Sequence, residues 1–217
     1  VNRLRALRSW AELVSTMITC SDMDSSRRTS FILHSIQLIL PKLEAAIQEN
    51  QGEALELARL AETLASKLDP ALEETHRNRS GDVIDEKLQQ LFQICIRGIG
   101  MASTEVALRE TFYNISSLYV SRITSRDPTQ EGLRRQTQQV VKAASPLLTE
   151  TACEDAYGGQ ETCRVSALLL LNHLAVLDNQ GDSILAESIS ESNYLSLFLD
   201  AIRALPRELR NTPASGK

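Results

Sequence analysis

The chain has 217 residues, of which 42% are hydrophobic and only 4% aromatic, and a formal net charge of -5. Such a length can bury a real core, as one elongated domain or two compact ones. The acidic balance (pI near 5.3) argues against a nucleic-acid clamp or a binder of anionic membranes. With so few aromatics, the core must be mostly Leu, Ile, Val and Ala, which suits helices meeting at close range.

From Asn2 to Leu205 the pattern is one amphipathic helix after another, with no strand-like stretch between them. Helix one runs from about Asn2, its expected N-cap, to Cys20. Leu4, Leu7, Ala11, Val14 and Ile18 share its inner face. A polar turn over Ser21–Ser26 leads to helix two, which starts near Ser25 or Ser26. Its Phe31, Ile32, Leu33, Ile36, Leu38, Ile39 and Leu40 point in nearly every direction, which predicts burial on most sides. Pro41 should kink it before it continues through Leu43 and Ile47, and Asn50-Gln51-Gly52 should end it with a left-handed residue.

Helix three reaches about Leu68, with Leu57, Ala61, Leu64 and Leu68 inward, and Asp69-Pro70 stops it. Glu73–Gly81, the most polar segment, should be an exposed loop. Helix four spans about Val83–Ile99 and is buried through Ile84, Leu88, Leu91, Phe92, Cys95 and Ile99. Helix five covers roughly Thr104–Ile123, with Leu108, Phe112, Ile115 and Tyr119 inward. After Arg126-Asp127-Pro128, helix six opens near Thr129 with Leu133, Thr137, Val140 and Ala144 on one face; Pro146 should bend it before it resumes toward Tyr157. Helix seven spans about Glu161–Leu177, and its Leu168–Leu171 run is apolar all round, which predicts a second central helix. Gly181 separates it from a short helix with Ile184, Leu185 and Ile189, and a last helix runs from about Asn193 to Leu205.

Helices of this length with short turns should pack antiparallel. No fixed repeat period appears, so the expected architecture is all-α: an irregular HEAT/armadillo-like α-solenoid of antiparallel helix pairs. Residues 1–205 form its single end domain, and the polar tail 206–217 is expected to be disordered. The chain starts at Val1 without a Met and enters a helix at once, which suggests a piece of a longer protein. If a preceding repeat is missing, helix one should expose an apolar face near Trp10 and Leu13. The longest apolar runs, Phe31–Leu40 and Val165–Leu171, are too short to span a bilayer.

Motifs for chemistry are weak. Cys20, Cys95, Cys153 and Cys163 form no CxxC pair and are expected as free thiols. His34, His76 and His173 make no HxxxH pair, so no metal is expected. Gly98-Ile99-Gly100 follows a helix and lacks the residues of a phosphate loop, so a helix ending in a left-handed turn is expected there. Arg27-Arg28-Thr29-Ser30 resembles a basic-directed kinase site but reads better as helix-start polarity. Arg outnumbers Lys, which fits bidentate ion pairs between neighbouring helices. No catalytic residue, cofactor or small-molecule substrate is expected.

The last helix is more informative. Tyr194, Leu195, Phe198, Leu199, Ile202 and Leu205 cover an apolar arc of roughly 220°, with Leu197 at its edge. That is more apolar surface than an end helix needs for its own neighbours, and it suggests docking of a partner's amphipathic helix on Tyr194, Leu195, Phe198, Leu199 and Ile202. The bland reading is that this helix tucks between its predecessors.

Two stretches, Arg8–Glu44 (RSWAELVSTMITCSDMDSSRRTSFILHSIQLILPKLE) and Cys163–Arg203 (CRVSALLLLNHLAVL followed by SNYLSLFLDAIR), resemble the C-terminal tail of the giant scaffold nucleoporins of the nuclear pore inner ring. The resemblance implies an α-helical superhelix without catalysis, residing in the nucleus at the nuclear pore complex and supporting nucleocytoplasmic transport. It also implies capture of a helical segment of a linker nucleoporin, with no nucleic acid and no membrane insertion. The rival readings are an armadillo-like transport-receptor or adaptor module that binds cargo peptides, and an all-helical small-GTPase regulator with Arg77 or Arg79 as its finger.

Overall fold

A computed structural model describes residues 2–19, 24–68, 80–101, 103–124, 131–158 and 161–177. In chain order the helices are α1 (Asn2–Thr19), α2 (Ser25–Glu49), α3 (Gln51–Ser66), α4 (Ser80–Ile99), α5 (Val106–Thr124), α6 (Glu131–Gly158) and α7 (Glu161–Leu177). Among the described residues there is no strand.

Capping fixes several of these boundaries. The Asp24 side chain accepts from the Arg27 N–H at 2.8 Å, so α2 begins one residue later. Asn50 closes one helix and opens the next. Its own N–H donates to the Ala46 carbonyl at 2.8 Å, and its side chain accepts from the Glu53 N–H at 3.2 Å. Asn50 and Glu53 also have the spacing of a capping box. Asn50 is extended (φ -154°, ψ 94°), so this joint differs from the left-handed turn expected of Asn50-Gln51-Gly52. An extended cap can serve two helices at once, and Gly52 then lies inside α3.

The helices stack in two layers. In one, α1 packs on α3, α3 on α5 and α5 on α7; in the other, α2 packs on α4 and α4 on α6. Across the layers α2 meets α3, α4 meets α5 and α6 meets α7. The links within these pairs are short (Asn50, 100–105 and 159–160), which makes pair partners antiparallel neighbours. This is the α-solenoid expected from the periodicity. The core runs through the stack from Val14 and Ile18 to Leu170, Leu171 and Leu174. Ion pairs stitch successive helices: Arg8 to Glu56 at 2.7 Å (α1–α3) and Arg97 to Glu44 at 2.7 Å (α4–α2). This is the use expected of Arg.

The central helix is α5, which the sequence did not single out. It is buried on opposite sides: Leu108, Phe112, Ile115 and Tyr119 on one, and Thr111, Ser116, Ser117 and Val120 on others. Small hydroxyl residues carry much of this burial, so hydrophobicity alone hides it. The ring of Tyr119 stacks on Phe92 of α4 at a centroid distance of 4.5 Å. The two helices expected to be central are less enclosed. Leu38 on α2 is 45% exposed, and α7 exposes Val165, Leu169 and Val176. Among the described residues, α2 packs on α3 and α4, and α7 on α5 and α6, which leaves each an exposed flank.

Further boundaries differ from expectation. Pro41 and Pro146 interrupt neither α2 nor α6; both rings are exposed, where the lost hydrogen bond is cheapest. Helix α4 begins at Ser80, so Ser80 and Gly81 belong to a helix rather than to the loop. By length and composition Ser26–Glu49 is apolar enough to cross a membrane, although its uninterrupted apolar run is short. Its Ile32, Ile36, Ile39 and Leu43 instead serve the core. On α1, Leu13 is exposed as expected, while Trp10 is half-buried and packs against the core.

Gly98-Ile99-Gly100 is neither a phosphate loop nor a left-handed ending, because neither glycine has a positive φ. Gly98 is there for space. A Cβ on it would overlap the buried ring of Phe112 from α5. The Gly98 carbonyl accepts from the Thr104 hydroxyl at 2.7 Å, and the Gln51 side chain holds the same turn by donating to Ser103 O at 2.7 Å and accepting from Glu105 N at 2.6 Å.

Candidate functional site

Polar side chains recur at helical spacing on one face of α3 and of α5, and α7 adds one more beside them. On α3 they are Arg59, Glu62, Thr63 and Ser66; on α5, Asn114, Ser117 and Ser121, with Leu118 among them; on α7, His173 beside Leu169. Intervals of three, four and seven residues align them. Because α3, α5 and α7 lie side by side in one layer, they line a groove of about 660 Å³.

Several hydroxyls in the groove satisfy themselves locally. Thr63 donates to Arg59 O at 2.9 Å, Ser66 to Thr63 O at 2.9 Å and Ser121 to Leu118 O at 3.0 Å. Ser117 does not: it is buried, and its Oγ has no partner. A hydroxyl left this way costs roughly 1–3 kcal/mol. Burial raises the Glu62 carboxyl above the usual range; its hydrogen bond with Asn114 lowers it, the nearby Glu110 raises it and Arg59 lowers it. Burial also lowers His173. A serine nucleophile needs a base within hydrogen-bond reach. Ser117 Oγ has no hydrogen-bond partner of any kind, so no base is paired with it.

A second polar cluster is structural. Arg109 of α5 meets both carboxylate oxygens of Asp155 on α6, at 3.0 and 3.1 Å. Tyr113 donates to Asp155 at 2.8 Å, and Arg109 also donates to Thr104 O at 3.2 Å. Burial, Asp155 and its hydrogen bond push the Tyr113 hydroxyl far up, so it stays protonated as the donor. Burial likewise raises the Cys153 thiol to about 11, and burial together with Asp155 raises Cys163 to about 12. Cys95, Cys153 and Cys163 are free and buried, which suits packing rather than thiolate chemistry. No group of three metal-ligating side chains occurs among the described residues.

The residues expected to bind a partner, Tyr194, Leu195, Phe198, Leu199 and Ile202, lie outside the described residues, as do Cys20, His76, Arg77, Asn78 and Arg79. His34 is exposed on α2, and Asn114 is half-buried in the groove. The groove itself was missed. Its side chains looked like solvent-facing positions, and the available signal was the same polar spacing on two helices, 59-62-63-66 and 114-117-118-121.

Helices stacked in two layers around a continuous core define an α-solenoid. The chain belongs to the family of nuclear pore complex scaffold nucleoporins 186/192/205, whose model matches residues 2–217. It is 29% identical to nucleoporin NUP192 of Chaetomium thermophilum over 95% of its own length, and it spans 13% of that relative. Human nuclear pore complex protein Nup205 is 29% identical over 42% of the chain, which corresponds to 4% of that protein. Membership agrees with the resemblance drawn from Arg8–Glu44 and Cys163–Arg203, and it places the chain at the nuclear pore complex.

Proposed function

We propose that the chain is a non-catalytic element of the inner-ring scaffold and captures an amphipathic helix of a linker nucleoporin. The family match across residues 2–217 carries this reading. The layered stack supports it, because a solenoid offers long helical faces without the cost of building a deep active site. The capturing side chains are Tyr194, Leu195, Phe198, Leu199 and Ile202, whose apolar arc exceeds what an end helix uses on its own neighbours. Capture by such a face ties scaffold units together and so supports nucleocytoplasmic transport.

Co-elution of the purified chain with a recombinant linker nucleoporin tests this. The unmodified chain should form a stable complex. Phe198→Glu should weaken it by about thirtyfold or more, the scale of an interface hot spot of ~2 kcal/mol. A Phe198→Glu chain that stays folded and co-elutes unchanged would remove the last helix from the mechanism.

A further inference from the structure

We propose that the groove across α3, α5 and α7 is a second binding site, for an extended polypeptide segment that sets a lysine or arginine side chain against Glu62. Three observations lead there. The groove crosses three parallel-layered helices, and with neighbouring axes 8–10 Å apart it is roughly 20 Å across. A run of main chain fits that span better than a compact molecule does. Ser117 supplies a buried, unpartnered hydroxyl among the lining residues. It can donate or accept, as a peptide group requires. Asn114 lines the groove with Glu62, and its side-chain amide can both donate to a carboxylate and accept a peptide N–H.

Charge selects the side chain. Glu62 is flanked by Glu110 on α5 and by Arg59 on its own helix, and the buried Cys95 thiol lies near it on α4. His173 from α7 is held toward its neutral form by burial. Two carboxylates against one guanidinium favour a cation over an anion, and burial strengthens the preference because the local dielectric is low. An incoming ammonium or guanidinium would stabilise the Glu62 carboxylate that burial disfavours. Leu118 and Leu169 give the aliphatic stem an apolar wall. The groove is lined by residues of α3, α5 and α7 alone, so the proposal does not depend on whether Phe198 holds a partner.

The test is a nuclear magnetic resonance titration of the isotopically labelled full chain with acetyl-Ala-Lys-Ala-Ala-amide, alongside the same peptide carrying norleucine for lysine. The lysine peptide should move amide signals of 59–66, 114–121 and 169–173 saturably. Norleucine should bind about tenfold more weakly, the scale of one charge-assisted hydrogen bond. Glu62→Gln should abolish the difference between the peptides, and Ser117→Ala should weaken both. Ser117→Ala removes an unpaired buried hydroxyl, so that variant should melt no lower than the native chain, which keeps folding separate from binding. Phe198→Glu should bind both peptides like the native chain. Unsaturable or scattered shifts, equal affinity for the two peptides, or a Glu62→Gln chain that still prefers lysine would overturn the proposal.

Discussion

Asp155 ties α6 to α5, because Arg109 and Tyr113 both bond to it. The Arg109–Asp155 pair is largely enclosed, with side-chain exposures of 20% and 14%. Removing one partner would leave the guanidinium buried and uncompensated. Asp155→Ala should therefore cost about 3–5 kcal/mol, while Tyr113→Phe should cost nearer 1 kcal/mol; urea denaturation of the two variants checks the order. Glu62 gives a pH-dependent prediction. Its pKa is raised in the folded chain, so the unfolded chain gives up that proton first. The fold is then favoured with Glu62 protonated and loses that stability as pH rises through the folded pKa. As pH rises from the usual carboxylate range through the raised pKa of Glu62, Glu62→Gln should gain in melting temperature relative to the native chain. A constant difference across that rise would contradict the assigned burial. The raised, buried thiols Cys95, Cys153 and Cys163 should resist alkylation in the folded chain and react on unfolding, as mapped by peptide mass spectrometry. At this scale the sequence disclosed residue type but not partnership. Nothing in the spacing of Arg109, Tyr113 and Asp155 announces that two helices bring them together.

Among the described residues helix existence was legible, because inner stripes such as Leu57-Ala61-Leu64 and Leu108-Phe112-Ile115 keep the helical period. Helix rank was not. A run of large aliphatics made α2 and α7 look central, yet each keeps an exposed flank, whereas the serines of α5 permit neighbours on several sides. Burial of small polar residues depends on what packs against them, and a single helix does not record its neighbours. The same reasoning applies to Gly98. Ala normally improves a helix over Gly by about 1 kcal/mol. Here its methyl would meet the Phe112 ring, and overpacking of this kind costs about 1–3 kcal/mol. Gly98→Ala should thus lower the melting temperature, and an increase would show that α4 and α5 can separate freely. Asn50→Ala should destabilise by about 1–2 kcal/mol, because one side chain caps α3 at the joint where α2 also ends.

On the scale of the whole chain, the two-layer stack follows from amphipathic helices joined by short links, and it was readable for that reason. The groove was not, since it exists only where polar faces of α3 and α5 come side by side with α7. Family membership agrees with a stack of regular helices: the chain belongs to the nuclear pore complex scaffold nucleoporins. The most direct test of that role is recovery of partners from nuclear-envelope extract by the native chain and by Phe198→Glu, identified by mass spectrometry. The account predicts a linker nucleoporin with the native chain and its loss with Phe198→Glu. Recovery of a small GTPase or soluble cargo in place of any nucleoporin would contradict it.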